Sequence, residues 1–344
     1  MIDLDEWFIG LVRVTLVLVG YLLWRRAGRH VYSARAGSEA RQSTSQPPEG
    51  GKVIELTRGL CHYRIDGAEN KGKLVVMVHG LIGCHLDFQP LVKVLVEEQH
   101  RRVLRFDLYG RGWSSAPLMA TDSLPELYAG QLVELLYSLG EDQPIDLIGN
   151  SMGGPIAACF AARFGRAHVA SLTLTVPAGM PSMEKRLPTW TKRLVDVVAE
   201  LPLAMHLLKG FAKSRVLTLA DNTKVHWTTK DNKSVQNWYL EYQGRRLQRE
   251  HNLAGSFIES VSLFPFAQSQ GLYEAVAENE VPTLVFWGKS DRKIPFECAA
   301  EMRLVFDKAR ALLEEQVVDE SGHLLVIERA DFVAKNFGPF SRKN

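Results

Sequence analysis

The chain has 344 residues, of which 46% are hydrophobic, so it can build one large domain with a sizeable core and additional segments. A formal net charge of +2, with no basic stripe carrying interleaved aromatic residues, argues against nucleic acid as a partner. The cysteines lie far apart without metal-ligand spacing, so neither a disulfide scaffold nor a zinc site is implied. We expect reduced, partly buried thiols at Cys61, Cys84, Cys159 and Cys298.

After an acidic flank at residues 1–6, an apolar run from Trp7 to Trp24 predicts a membrane anchor. As a helix these 18 residues would extend about 27 Å, close to the roughly 30 Å hydrocarbon core of a bilayer, with a tryptophan at each interface. Arg13 would cost on the order of 3 kcal/mol at the bilayer centre, and snorkelling reduces that cost. Because the acidic start does not fit a cleaved signal peptide, we predict a retained transmembrane helix over 7–24.

Residues 25–52 predict a flexible tether ahead of a globular domain at 53–344. The segment is polar, rich in Pro, Gly and Ser, and without periodicity, which favours an unstructured linker. Positive charges directly follow the apolar run, at Arg25, Arg26, Arg29 and Arg35. By the positive-inside rule they predict a globular domain in the cytosol, and a lumenal domain is the alternative.

The next apolar run, "KLVVMV", ends at His79 and Gly80 and predicts a strand followed by a loop. Cys84 lies close to this loop, and we expect thiol reagents to reach it. The importance of the loop depends on a motif further along the chain.

That motif is "IGNSMGG", which predicts a sharp strand-to-helix turn. The run "IDLIG" indicates a buried strand, and "MGGPIAACFAARFG" indicates a helix of small residues. Gly149 and Gly153 lack Cβ atoms where the backbone folds back, which leaves Ser151 with strained dihedrals and an exposed Oγ. This G-x-S-x-G pattern is typical of a nucleophile elbow, although a serine between glycines also occurs in simple turns.

A long insertion is predicted between the strands "LTLTVP" and "TLVFWG", which are separated by about a hundred residues, far more than one crossover helix needs. We expect it to form a lid over about 180–255. Its first half contains an apolar helical stretch, "TWTKRLVDVVAELPLAMHLLKGF", broken at Pro202. This stretch either packs the lid against the core or also dips into the bilayer surface.

Two candidate partners for Ser151 follow it along the chain, first an acid and then a histidine. Asp291 comes directly after the strand "TLVFWG", and His323 comes after the predicted strand "EEQVV". A serine hydroxyl needs a base that a third group orients, so we predict a catalytic triad of Ser151, His323 and Asp291. The alternative for Asp291 is a surface loop residue paired with a neighbouring cation.

Catalysis by a serine also requires N–H donors aimed at the developing oxyanion. We expect one donor to be the backbone N–H of Met152, directly after the nucleophile, and the other to be the N–H of Leu81 in the loop after His79 and Gly80. His79 precedes Ser151 in this loop, so we interpret it as a structural residue. The chemistry requires no metal and no organic cofactor.

These segments resemble the α/β-hydrolase superfamily from Val53 to the C-terminus. "VMVHGLIG", "FDLYGRGWSS", "IGNSMGG", "VFWGKSDRKIP" and "ESGHLLVIERADF" occur in the order and approximate spacing of that family. The resemblance implies an α/β fold with a mostly parallel central sheet flanked by helices, and it makes Asp107 a turn residue outside the triad. "LTLTVPAGMPS" and the N-terminal anchor are similar to membrane-anchored monoacylglycerol lipases, whereas "GNSMGG" and "GKSDRKIP" are equally similar to bacterial C–C bond hydrolases.

We therefore expect a membrane-bound serine hydrolase that cleaves lipid esters such as monoacylglycerols or lysophospholipids through an acyl-enzyme. The alternatives are a carboxylesterase or C–C hydrolase acting on small soluble substrates, and a non-catalytic scaffold, which would not need a complete triad. A lysophosphatidate acyltransferase relative is disfavoured because Glu328 occupies the aspartate position of its H-x-x-x-x-D pattern. No protein partner is evident from the sequence.

Overall fold

The computed structural model describes residues 50–117, 124–186, 233–249, 260 and 264–344. The predicted N-terminal flank, the predicted anchor at 7–24 and nearly all of the predicted linker lie outside the described residues. Within the described ranges, no helix combines the length and the apolar character needed to cross a bilayer.

The described residues form one eight-stranded sheet. Its strands are β1 Lys52–Leu56, β2 Gly59–Asp66, β3 Leu74–Val78, β4 Arg102–Phe106, β5 Ile145–Asn150, β6 Val169–Thr175, β7 Thr283–Gly288 and β8 Leu313–Val318. Their order in the sheet is β1-β2-β4-β3-β5-β6-β7-β8. β2 pairs antiparallel with β1 and with β4, and the remaining neighbours are parallel. The predicted α/β fold with a mostly parallel sheet is confirmed. β1 begins at Lys52, the last residue of the predicted linker.

The helices cover both faces of this sheet. They are α1 Gln89–Glu97, α2 Leu124–Leu139, α3 Gly153–His168, α4 Lys233–Arg249, α5 Gln270–Glu278, α6 Glu297–Ala309, α7 Leu325–Glu328 and α8 Ala330–Lys343. The residues of β3 show why both faces are covered, because successive side chains of a strand point to opposite faces. Val76 and Val78 pack into the core with α2, α3, α5 and α6, and Val75 and Met77 pack into the core with α1 and α8.

The insertion between β6 and β7 is described in part. It includes short 3₁₀ helices at Pro181–Arg186 and Phe266–Gln268, together with α4 and α5. The apolar stretch around Pro202 lies outside the described residues, so the predicted lid stays a prediction. Tyr239 and Tyr242 of α4 are buried and belong to the core on the α1 and α8 face.

The arrangement of strands determines where a site can form. In an open α/β sheet, the carboxyl ends of the parallel strands meet at one edge, and ligand sites lie outside that edge. The loops after β3, β5, β7 and β8 contain His79, Ser151, Asp291 and His323, respectively. The fold therefore gathers the predicted site residues at one edge of the sheet.

Candidate active site

Ser151 lies in a strained turn between β5 and α3. Its φ of 56° falls in the left-handed region, which a residue with a Cβ rarely adopts. Backbone hydrogen bonds hold it there: Ser151 N–H donates to the Thr175 carbonyl at 3.0 Å, and its own carbonyl accepts from Gly154 N–H and Ala178 N–H. A strained conformation that several hydrogen bonds hold in place is typical of functional positions.

Gly149 and Gly153 are required by close backbone packing. A Cβ at Gly153 would lie 2.1 Å from the Val78 carbonyl oxygen, and a Cβ at Gly149 would lie 2.5 Å from the carbonyl oxygen of Gly153. Because glycine has no Cβ atom, the start of α3 can pack directly against the end of β3. The glycines therefore bring Ser151 beside the loop that follows His79.

The structure brings Ser151, His323 and Asp291 into one chain of hydrogen bonds. His323 Nε2 lies 3.0 Å from Ser151 Oγ, and His323 Nδ1 lies 2.8 Å from Asp291 Oδ2. Asp291 Oδ1 accepts the N–H groups of Lys293 at 2.6 Å and Ile294 at 3.1 Å. Residues that are 172 and 32 positions apart in the sequence thus meet at the sheet edge.

The charge of Asp291 sets the tautomer of the histidine. Burial by itself would raise the pKa of Asp291, but His323 and the N–H groups of Lys293 and Ile294 outweigh burial, and the pKa lies below the ordinary value of 3.8. An ionised carboxylate only accepts hydrogen bonds, so His323 Nδ1 carries a proton and Nε2 presents its lone pair to the Ser151 hydroxyl. This geometry suits general-base activation of the serine.

The loop after β3 lies directly against the serine. A Cβ added at Gly80 would come within 3.1 Å of Ser151 Cβ. Among the turn and loop hydrogen bonds of the described residues, neither Leu81 N–H nor Met152 N–H donates one. Leu81 follows Gly80 and Met152 follows Ser151 in the chain, so both N–H groups remain candidate donors for the predicted oxyanion hole.

His79 connects this loop to the loop after β4. Leu108 N–H donates to His79 Nε2 at 3.0 Å, so Nε2 has no proton and Nδ1–H donates to the Gly80 carbonyl at 2.8 Å. The side chain is fully buried and both ring nitrogens are engaged. His79 is therefore a neutral link within the structure, with no nitrogen lone pair left for Ser151.

Asp107 has a larger role than the expected turn residue. Its carboxylate accepts His62 Nδ1–H and His85 Nδ1–H at 2.9 Å each, and the backbone N–H groups of His85 and Trp113 at 2.8 and 3.0 Å. Burial alone would raise the pKa of Asp107, but its two histidines hold that pKa well below 3.8. Each oxygen already binds two donors, so the cluster is a hydrogen-bonded node that joins β2, the loop after β3 and the loop after β4. Nothing in the sequence signals that His62 and His85 meet.

The expectation that reagents reach Cys84 is wrong. Its side chain is fully buried, accepts a hydrogen bond from Leu86 N–H and contacts the hydroxyl of Tyr242, 2.5 Å from Sγ. Helix α4 of the insertion covers this thiol, and a contact across 158 positions has no local sequence signal. Each of the four cysteines is buried, and none forms a disulfide.

The family assignment follows from comparison with known proteins. The family model described as "alpha/beta hydrolase fold" matches residues 73–330, and the chain belongs to this family. Among curated relatives, Lipase 1 of Psychrobacter immobilis is 27% identical over 290 residues, covering 84% of this chain and 83% of that protein. The monoacylglycerol lipase ABHD6 of Rattus norvegicus is 25% identical over 296 residues, covering 82% of this chain and 81% of that protein.

A third relative is named for a different activity. The 2-hydroxy-6-oxononadienedioate/2-hydroxy-6-oxononatrienedioate hydrolase 1 of Dechloromonas aromatica is 29% identical over 262 residues, covering 75% of this chain and 82% of that protein. The names of the relatives thus include lipases and a hydrolase of oxo-acids. A shared fold does not decide between such substrates, because specificity depends on the individual site.

Proposed function

We propose that this α/β hydrolase is a membrane-anchored serine hydrolase that cleaves carboxylic esters of lipids, with monoacylglycerols or lysophospholipids as the substrate class. The observation that carries the proposal is the chain of hydrogen bonds from Asp291 through His323 to Ser151. Ser151 is followed by Met152 and packs against Gly80, which precedes Leu81. The N–H groups of Met152 and Leu81 donate no turn or loop hydrogen bond within the described residues.

Acylation uses each of these groups. Ser151 Oγ attacks the ester carbonyl carbon while His323 Nε2 accepts the hydroxyl proton, and Asp291 stabilises the imidazolium that forms. The N–H groups of Leu81 and Met152 donate to the oxyanion of the tetrahedral intermediate. When the intermediate collapses, the bond to the alcohol breaks and His323 returns the proton to the departing oxygen.

Deacylation repeats these steps with water as the nucleophile. His323 accepts a proton from water, the resulting hydroxide attacks the acyl carbon, and the same two N–H groups bind the second oxyanion. His323 then protonates Ser151 Oγ as the fatty acid leaves. The cycle restores the enzyme without a metal or an organic cofactor.

Three observations support a lipid substrate. The run from Trp7 to Trp24 has the length and the interfacial tryptophans of a membrane helix. The insertion contains a long apolar stretch around Pro202, suited to the wall of an acyl-chain site. Two relatives of the chain are named lipases. A substrate already present in the membrane would be delivered to a tethered domain without diffusion through water.

One observation favours a second candidate. The relative that is 29% identical over 262 residues is named for a hydrolase of unsaturated oxo-dienedioates. A C–C bond hydrolase or a carboxylesterase of small soluble substrates would use the same serine, histidine and aspartate. The two candidate functions differ in the substrate that binds beside Ser151, which is a long acyl chain in the first and a small soluble molecule in the second.

The test compares the wild-type chain with Ser151→Ala in carbonate-washed membranes. We expect the wild type to stay with the membranes and release fatty acid from a long-chain monoacylglycerol, whereas Ser151→Ala stays with the membranes and releases none. A fluorophosphonate should label the wild type alone. Release of the chain by carbonate would contradict the anchor. Cleavage of short soluble esters or oxo-dienedioates, without cleavage of the glyceride, would support the second candidate.

A further inference from the structure

Arg111 places a buried positive charge against the loop that contains Leu81. This arginine lies in the loop after β4 and is 1% exposed. Its Nε–H donates to the Leu81 carbonyl at 2.7 Å, Nη1 donates to the Gly110 carbonyl at 3.3 Å, and Nη2 donates to Ser260 Oγ at 2.7 Å. Burying a cation is costly unless its donors are paired, so these contacts hold the guanidinium in one geometry.

We propose that Arg111 is a positioning residue for the oxyanion hole: by binding the Leu81 carbonyl, it fixes the direction of the Leu81 N–H. This inference rests on the proposed function, in which that N–H donates to the oxyanion. The carbonyl and the N–H lie on the two peptide units that flank one α-carbon. Restraining the carbonyl therefore restrains the backbone dihedrals that aim the N–H.

The direction of the Leu81 N–H matters because an oxyanion donor acts only over a narrow range of distances. Between His79 and Cys84 the backbone turns, and Gly83 N–H donates to the Gly80 carbonyl at 3.0 Å. An oxyanion donor must lie about 2.7 to 3.1 Å from the developing charge, and a displacement of about 1 Å can reduce the rate on the order of 100-fold. A charge-assisted hydrogen bond is stronger than a neutral one and suits this task.

Arg111 can act as a restraint because its own loop is rigid. Arg111 N–H donates to the Leu108 carbonyl at 2.9 Å, and Trp113 N–H donates to the Asp107 carboxylate at 3.0 Å. Gly112 packs so tightly that a Cβ would lie 2.1 Å from Asp107 Oδ2. The Asp107 node thus fixes the arginine backbone, and the arginine side chain extends this rigidity to Leu81.

Ser260 gives the same guanidinium a link to the insertion. It is fully buried, and its hydroxyl accepts the hydrogen bond from Arg111 Nη2. One side chain therefore contacts the loop after β4, the loop after β3 and the insertion between β6 and β7. None of these contacts is part of the chain of hydrogen bonds that activates Ser151.

The experiment uses full-length Arg111→Gln and Arg111→Lys, with Arg101→Gln as the matched control. Arg101 is a mostly buried arginine that forms an ion pair with Asp146 at the amino end of β5, the edge opposite Ser151. Active enzyme is counted by the final extent of fluorophosphonate labelling, so partial unfolding does not enter the rate. We expect Arg111→Gln to lower kcat for ester hydrolysis about 10- to 100-fold with KM within about threefold of wild type.

Two further readouts separate positioning from a structural role. A boronic acid with an acyl-like chain adds to the serine hydroxyl and places an oxygen at the oxyanion position, so its affinity should fall in parallel with kcat/KM in Arg111→Gln. Binding of a non-hydrolysable ether analogue of the substrate should stay unchanged. Arg111→Lys keeps the charge without the planar fork, and its kcat should lie between that of Arg111→Gln and that of the wild type.

Each outcome decides between the hypotheses. Equal kcat per labelled enzyme in the wild type and Arg111→Gln would overturn the inference and leave the proposed function standing. An equal loss in Arg101→Gln, or unchanged boronate affinity in Arg111→Gln, would also overturn it. Where Arg111→Gln fails to fold, the kcat of Arg111→Lys decides, and a wild-type value overturns the inference. A wild-type chain that neither hydrolyses esters nor reacts with fluorophosphonate overturns both.

Discussion

The orientation of a single imidazole connects the residues of the site. Asp291 sets the tautomer of His323, and the Nε2 lone pair of His323 faces the Ser151 hydroxyl. A change at the carboxylate therefore affects Ser151 although the two side chains share no hydrogen bond with each other. His79 illustrates the opposite case. Its neighbours use both of its nitrogens, and a second histidine near Ser151 is thereby withheld from proton transfer.

We expect Asp291→Asn to reduce kcat by a factor on the order of 10³ to 10⁴ while leaving the fold intact. The asparagine amide would donate to His323 Nδ1, so the ring proton would move to Nε2. A protonated Nε2 could no longer accept the proton of Ser151. Kinetics with a monoacylglycerol measure the loss. Asp319→Asn is the control, because Asp319 forms an exposed ion pair with Lys289, and its kcat should match the wild type. Comparable rates in the two variants would contradict the assigned role of Asp291.

At the scale of elements, the start of α3 shows backbone packing overriding helix propensity. Alanine is favoured over glycine inside helices by about 1 kcal/mol, yet α3 begins with Gly153 and Gly154. The reason is the contact with β3, where the Val78 carbonyl occupies the space of a Gly153 side chain. The position of Ser151 therefore depends on Gly153, two residues later, having no side chain.

A pair of glycine substitutions tests this packing. Gly153→Ala should destabilise the protein by at least about 2 kcal/mol and lower activity, because the new Cβ forces α3 away from β3. Gly130→Ala in α2 should stabilise it by about 0.5 to 1 kcal/mol, because a Cβ at Gly130 meets no atom within 4 Å. Urea unfolding measures both free energies. A stabilising Gly153→Ala would show that the approach of α3 to β3 is not tight.

For the whole molecule, the amino-acid sequence predicts the strands of the sheet and the order of the site residues along the chain, because short stretches of sequence encode both features. Apolar runs mark β3, β5, β6 and β7, and the glycine pattern with the order of acid and histidine identifies Ser151, Asp291 and His323 as candidates. Contacts between distant segments have no such signal. The contact of Arg111 with Leu81, the pairing of His62 and His85 with Asp107, and the cover of Tyr242 over Cys84 emerge only in the folded chain.

The buried node around Asp107 also predicts how the stability of the whole domain depends on pH. Burial lowers the pKa of His85 below its ordinary 6.5, even though Asp107 opposes the shift. Below about pH 6.5 the unfolded chain binds a proton at His85 that the folded chain does not, so the free energy of unfolding falls as the pH decreases. The pKa values of Asp107 and Asp291 lie below 3.8, and their stabilising contribution is lost only as the pH falls below about 4.

Unfolding by urea at a series of pH values from 8 to about 2.5 therefore separates the histidine from the carboxylates. His85→Gln should be less stable than the wild type at pH 7, because it loses the bond to Asp107. Its stability should decline less steeply between pH 6.5 and 4.5, by up to about 1.4 kcal/mol per pH unit for one proton. The steep loss below about pH 4 should persist in the variant, since Asp291 is unchanged. Identical slopes above pH 4.5 in the two proteins would show that His85 does not stay neutral in the folded state.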